Sequence, residues 1–396
     1  MLGIIFSTLF VCYDCKFKDI QSAINYARDG DRIVVKSGTY KGPVVVDKRV
    51  ELVGEGGPVL DGEGKYQVLT IKADDVKVEG FIIKNSGMSY SEDIAGLKVV
   101  DSRDCIIKGN KFLNNFFALY FERVSGCLVE GNSIVGFARS EGSSGNGVHA
   151  WNSERLILRN NYVKGHRDGI YFEFVKDSLI ENNRSELNLR YGLHFMFSNN
   201  DSYSNNYFYK NGAGVAVMYS RNIHMVENVF ERNEGLANYG LLLKDITDSK
   251  LYKNKFLNNT HGIYLEGCNR SIFEGNLFEK NGWAVRIYDN SEDNLFRRDL
   301  FIGNAFDVST NTLSYFRNTF EGNYYDRYEG YDLDRDGYGD IPYRPVSFIA
   351  FLFERFPLTL ILYESFLMKI LDTMERLIPL LHPEALVDKK PLMVKQ

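Results

Sequence analysis

The sequence predicts an all-β protein: a right-handed parallel β-helix, a solenoid of about 22-residue rungs, with an N-terminal capping helix and a C-terminal helical extension. The first observation is a recurring Asn followed two positions later by a large apolar residue. It appears at Asn110 with Phe112, Asn132 with Ile134, Asn206 with Phe208, Asn228 with Phe230, Asn254 with Phe256 and Asn276 with Phe278, and more weakly at Asn161, Asn183 and Asn323. From Asn110 to Asn276 the successive separations are 22, 29, 22, 23, 22, 26 and 22 residues. Units of that length bury an apolar face only by stacking on their neighbours. The second observation is one strand that aligns across nine repeats. Its second position reads Leu97, Leu119, Val148, Ile170, Leu193, Val215, Leu241, Ile263 and Val285, and its fourth is equally apolar, from Val99 to Ile287. Positions three and five are mixed, which is the period-2 pattern of a strand with one face in the core and the other in solvent.

The elements follow in chain order. Residues 1–11 are apolar and end at a polar stretch, reading as a secretory signal without a basic start or a small-residue cleavage site. The alternative is an apolar strand entering the solenoid. Residues 12–43 form the cap, in which Phe17 to Ala27 places Ile20, Ala23, Ile24 and Ala27 on one helical face to cover the open end. Regular rungs fill 44–325, broken by insertions at Ala138 to Gly145 and Asn233 to Asn238, both expected as surface loops. An Asp-rich loop and linker spans 326–346. Residues 347–396 are rich in Phe, Leu and Ile but interrupted by charge, so they predict amphipathic helices and not a membrane span. Those helices cap the rod or dock on another protein, with Phe348, Phe351, Leu352, Phe356, Leu360 and Phe366 as the docking residues.

A net charge of −5 leaves no basic footprint, so nucleic acid is not an expected partner. Three places invite a metal. Asp332, Asp334, Asp336 and Asp340, with Gly337, resemble the start of a Ca²⁺ loop, where alternate carboxylates converge on a hard cation. Tyr343 stands where such a loop has its bidentate Glu. Cys12 and Cys15 form C-x-x-C, which closes a disulfide in an oxidising compartment or holds a soft metal. Cys105 and Cys127 each lie five residues before an Asn marker, and read as small core residues on adjacent rungs. The outward positions of the aligned strand give the third place: His149 and Trp151, Tyr171 and Glu173, His194 and Met196, then Ala216 and Met218. Imidazole with thioethers, here His149, His194, Met196 and Met218, suits copper, Cu(I) above all. Exposed Met also serves adaptable protein contacts. Glycosidic chemistry needs paired carboxylates or a base beside bound Ca²⁺. The cluster found is Glu173 with Asp168, His166, Arg167 and Arg190, without an evident acidic pair, so a carbohydrate-active enzyme is the second reading.

These motifs also resemble a known family. "SGNGVHAWNS", "HRDGIYFEFV", "RYGLHFMFSNN", "GAGVAVMYS", "YGLLLKDI", "GYDLDRDGYGDIPYRPV" and the terminal "DKKPLM" are together similar to the NosD proteins over essentially the whole chain. The resemblance implies a periplasmic β-helix that works with an ABC-type ATPase and permease in assembling the copper–sulfide centre of nitrous oxide reductase. A copper-binding lipoprotein is a further implied partner, and the protein would sit at the membrane through its partners. The resemblance supplies no ligand list, so the His and Met residues above rest on the strand pattern alone.

Overall fold

The computed structural model describes residues 7–89, 92–234, 239–312, 314, 317–362, 365–377 and 385–394, and among these not the side chains at 357, 360, 367, 369, 372 and 375–377. The chain forms two compact units, Met1–Tyr207 and Phe208–Gln396. Each is a coil of short strands stacked in parallel into three sheets.

In the first unit one turn of the coil runs through Ile106–Lys108, Lys111–Leu113 and Phe117–Glu122. Each strand pairs in register with its counterpart one turn on, as Leu119 with Val148, then Ile170, then Leu193. The apolar second and fourth positions are buried on every described rung. Thr8–Val11 is a strand paired in parallel with Arg32–Lys36, and Val11 is wholly buried. Residues 8–11 thus form a strand, and parallel strand pairing begins before residue 44. The capping helix α1 spans Ile20–Tyr26, capped by Asp19, whose carboxylate accepts the Ser22 N–H at 2.8 Å. Ile20, Ala23, Ile24 and Ala27 are all buried, as the pattern predicted.

The recurring Asn has a structural task. The backbone N–H and Nδ2 of Asn132 both donate to Asn161 Oδ1 at 3.0 Å, and Nδ2 donates to Ile107 O at 2.9 Å. The same pattern links Asn110, Asn132, Asn161, Asn183 and Asn206. Buried turn groups are satisfied rung by rung, which a buried backbone requires. In the second unit the ladder runs Asn228, Asn254, Asn276, Asp299, Asn323 and ends on Asp388. Rings fill the interior beside it: Phe208, Phe230, Phe256, Phe278, Phe301 and Tyr325 follow one another at 4.6–5.4 Å between centroids.

The end of the second unit is closed by the chain's own tail, where Asp388 bridges Phe320 and Tyr343, and Leu392 bridges Tyr324 and Tyr338. Helix α2, Phe348–Arg355, is capped by Ser347, and its Ile349, Ala350 and Phe353 pack on Phe306 and on Met368 of helix α3, Phe366–Leu377. Arg286 pairs with Glu354, tying α2 to its rung. The 347–396 segment is thus helical in part and solenoid in part. No helix among the described residues is long and apolar enough to cross a membrane.

Candidate functional site

The outward strip of the first unit differs from the expectation of a solvent-facing metal column. His149 and His194 point away from the core, yet are only 8% and 5% exposed. The third position of these rungs carries a column of rings: Tyr120 stacks on His149 at 4.7 Å, His149 meets Tyr171 edge to face at 4.8 Å, and Tyr171 stacks on His194 at 4.7 Å. Phe117 and Tyr191 close over its ends. The two imidazoles stand on opposite sides of the Tyr171 ring, so they cannot grip one ion together. Burial holds the His149 imidazole down to about 3, with Arg167 adding to the effect. Its Nδ1 meets the Asn146 amide at 3.2 Å. His194 Nδ1 lies 3.7 Å from Asp168 Oδ2, longer than a hydrogen bond. His149 and His194 thus belong to a buried column of rings, two rungs apart, and the structure does not bring them to one ligand position. Met218 lies in the second unit, half-buried at the end of Ala213–Met218 opposite Lys244.

The fifth position is the accessible part. Trp151, Glu173 and Met196 are register partners on successive rungs and are all half-buried. The Tyr171 hydroxyl reaches Met196 Sδ at 3.6 Å. One residue further, at the turn, Phe174 and Phe197 are exposed and stack at 5.1 Å with planes 7° apart. Both hold left-handed backbone, φ 53° and 51°. This is an amphipathic strip with a single thioether and no accessible imidazole beside it, a contact surface more than a closed metal cage.

Asp168 is fully buried. Burial alone would raise its pKa, but the Arg190 guanidinium bound to both oxygens outweighs that and takes it to about 2. It has no proton to donate at neutral pH and no face open to a polysaccharide, which removes it from the carbohydrate cluster. His166 lines a cavity of about 290 Å³ with Met88, Phe116, Phe137, Asn115 and Ser144, beside the 138–145 insertion. Burial pushes its pKa down to about 4, and its Nε2 has no hydrogen-bond partner among the described residues. The pattern of the chain gave no sign of this cavity, since Met88 and Phe137 lie outside the aligned strand.

Cys12 and Cys15 are joined as a disulfide, and so are Cys105 and Cys127, which corrects the reading of the latter as merely small core residues. Asp332, Asp334 and Asp336 bring carboxylate oxygens within 4.8 Å of one another. Asp332 accepts the N–H groups of Asp336 and Gly337, and Gly337 takes φ 89°, a conformation that favours glycine. Asp340 lies outside this cluster, and its Oδ2 accepts the Leu333 N–H at 2.7 Å. Of the docking residues, Phe348, Phe356 and Phe366 are exposed, Phe351 is half-buried, and Leu352 packs against the α2 core. The Leu360 side chain and residues 235–238 of the second insertion lie outside the described residues. The sequence reading missed Leu358 and Ile361, each 84% exposed, which precede Phe366 at 80% in the chain.

Residues 136–330 match a family described as "NosD: Periplasmic copper-binding protein (NosD)". A relative from Pseudomonas aeruginosa named "Probable ABC transporter binding protein NosD" is 31% identical over 385 residues, covering 92% of this chain and 89% of the relative. One of the same name from Stutzerimonas stutzeri is 28% identical over 386 residues, covering 92% and 87%. A family 28 exopolygalacturonase from Yersinia enterocolitica shares the fold at a TM-score of 0.60, with 11% identity over 81% of this chain and 79% of that one.

Proposed function

Given that the chain belongs to the NosD family, we propose that it is an exported, non-catalytic accessory protein working beside an ABC-type permease and ATPase. Its task in this reading is maturation of the copper–sulfide centre of nitrous oxide reductase, handling copper or the copper-binding lipoprotein that carries it. The observation that carries the docking half is the C-terminal appendage. Ile349 and Phe353 anchor it, while Leu358, Ile361 and Phe366 stay in solvent at 80–84% exposure. Leaving three large apolar side chains uncovered is unfavourable by roughly 1.5–3 kcal/mol each relative to burial, so a partner that covers them gains that much. An apolar surface of a membrane-embedded permease suits it, and the protein would then be peripheral to the membrane. The Trp151–Met196–Phe197 strip offers a face for the copper carrier.

Coexpression with the permease and ATPase, followed by affinity purification in detergent, tests docking. Wild type should copurify, and Leu358→Asp with Phe366→Asp should not. Equal recovery of both would refute the docking surface. Titrating Cu(I) into wild type and into Met196→Ala tests the strip, where equal affinities would remove that thioether from copper handling.

A further inference from the structure

The two disulfides occupy different settings. Cys105–Cys127 is wholly buried and joins adjacent rungs, a separation of 22 residues. Cys12–Cys15 is half-buried at a separation of three, flanking Tyr13, which is 87% exposed, and exposed Asp14. Closing so short a loop removes little chain entropy from the unfolded state, whereas the longer loop removes more. The turn that carries Cys12 and Cys15 is also held without the sulfur bond. Cys12 N–H donates to Phe17 O at 3.1 Å, and Cys15 N–H donates to Cys12 O at 3.2 Å. Val11 pairs with Val35 and with Phe17, and Phe17 packs on the Tyr26 ring at 5.3 Å. Breaking the sulfur bond therefore leaves two thiols on one fixed turn, their Cα atoms 4.9 Å apart. Exposure makes this the disulfide that an external thiolate can reach.

We propose that Cys12 and Cys15 form a thiol-gated site for one Cu(I) ion, closed as the disulfide and open as the dithiol. A dithiol reductant attacks one sulfur and forms a mixed disulfide. Its second thiolate resolves that bond, the reductant leaves as its own disulfide, and both cysteines end as thiols with the two protons the reductant gave up. Cu(I) then displaces both protons and is held by two thiolates, the soft donors that select it. Two-thiolate binding leaves the ion open to a donor from a partner, as a transfer site requires. The site rests on the copper-handling half of the proposed function but uses none of the atoms of the Met196 strip.

The test uses the full chain, treated with mild dithiothreitol, desalted without oxygen, and titrated with Cu(I) against a chromogenic chelator. Maleimide labelling and mass spectrometry should show two new thiols, with Cys105–Cys127 intact. The reduced protein should bind one more equivalent than the oxidised protein and one more than Cys12→Ser, Cys15→Ser. Iodoacetamide treatment of the reduced wild type should abolish that equivalent without any substitution. No labelling under mild reduction, or equal stoichiometry in the reduced wild type and the serine variant, would overturn the proposal. Copper lost from Met196→Ala but not from the serine variant would overturn the cysteine site and leave copper handling standing. No copper on any form would overturn both.

Discussion

Asp299→Asn is the substitution that best tests the side-chain ladder. Asp299 stands between Asn276 and Asn323, where an Asn is expected. Its Oδ1 accepts the Asn276 N–H and Nδ2 at 2.7 and 2.9 Å, and its own N–H donates to Asn323 Oδ1 at 2.9 Å. Its Oδ2 is buried without a partner among the described residues. At that atom Asn276 and Asn323 carry an Nδ2, which donates to Leu251 O at 3.2 Å and Phe296 O at 3.1 Å. Burial pushes the Asp299 carboxyl up from 3.8 to about 7. An acid with a raised folded pKa binds a proton that the unfolded chain has already released. Stability is therefore full below pH 3.8, falls as pH rises, and has lost its whole share above pH 7. At 1.36 kcal/mol per pH unit the interval sets a ceiling of about 4 kcal/mol. Asn removes the titration and restores a donor at the orphaned position. Tm by circular dichroism should rise at pH 8, and by less at pH 5. A gain of equal size at both pH values, or a lower Tm at pH 8, would refute the reasoning.

Phe256 lies between Phe230 at 4.6 Å and Phe278 at 5.0 Å, wholly buried, so Phe256→Ala should cost about 3–5 kcal/mol in urea unfolding. A cost under about 1 kcal/mol would mean that the aromatic column is not a rigid core. If the Asp332, Asp334 and Asp336 carboxylates hold Ca²⁺, Tm should climb with added Ca²⁺, by about 2.7 kcal/mol of stability at a hundred times Kd. Asp332→Asn with Asp336→Asn should flatten that response, and an identical response in the variant would remove the site.

The solenoid was legible because each rung repeats one chemical necessity. An Asn amide serves the turn groups of its own rung and the next, so the residue recurs wherever a rung does, from Asn110 to Asn206 and from Asn228 to Asn276. Positions two and four of the strand are apolar because nothing else fits inside. The candidate site was less legible for a reason of the same kind. Alternation shows which side chains avoid the core, but not whether other groups cover them. Tyr120, His149, Tyr171 and His194 are outward by parity and buried by one another, and only their shared aromatic character hinted at stacking. Likewise α2 has Phe at 348, 351 and 353, and its buried face is set by where Phe306 lies, information absent from the local pattern. Asp388 is separated from Asn323 by 65 residues, so no periodicity could assign it the last place in the ladder.

Backbone conformation adds what the strand pattern could not. The turn after the aligned strand takes φ near 50° at Asp101, Arg123, Asn152, Phe174 and Phe197 in the first unit, and at Tyr219 and Asp245 in the second. Left-handed backbone costs an ordinary residue roughly 1–2 kcal/mol, and Asn or Asp least. Ring stacking of Phe174 on Phe197 returns about 0.5–1.5 kcal/mol for the pair. Phe174 is 48% and Phe197 38% exposed, and Asp101 and Asn152 show that the same turn forms without aromatic side chains. Left-handed backbone thus does not ask for phenylalanine at these positions, which makes Phe174 and Phe197, with Met196 beside them, the residues of the strip to substitute when contact with a partner is tested.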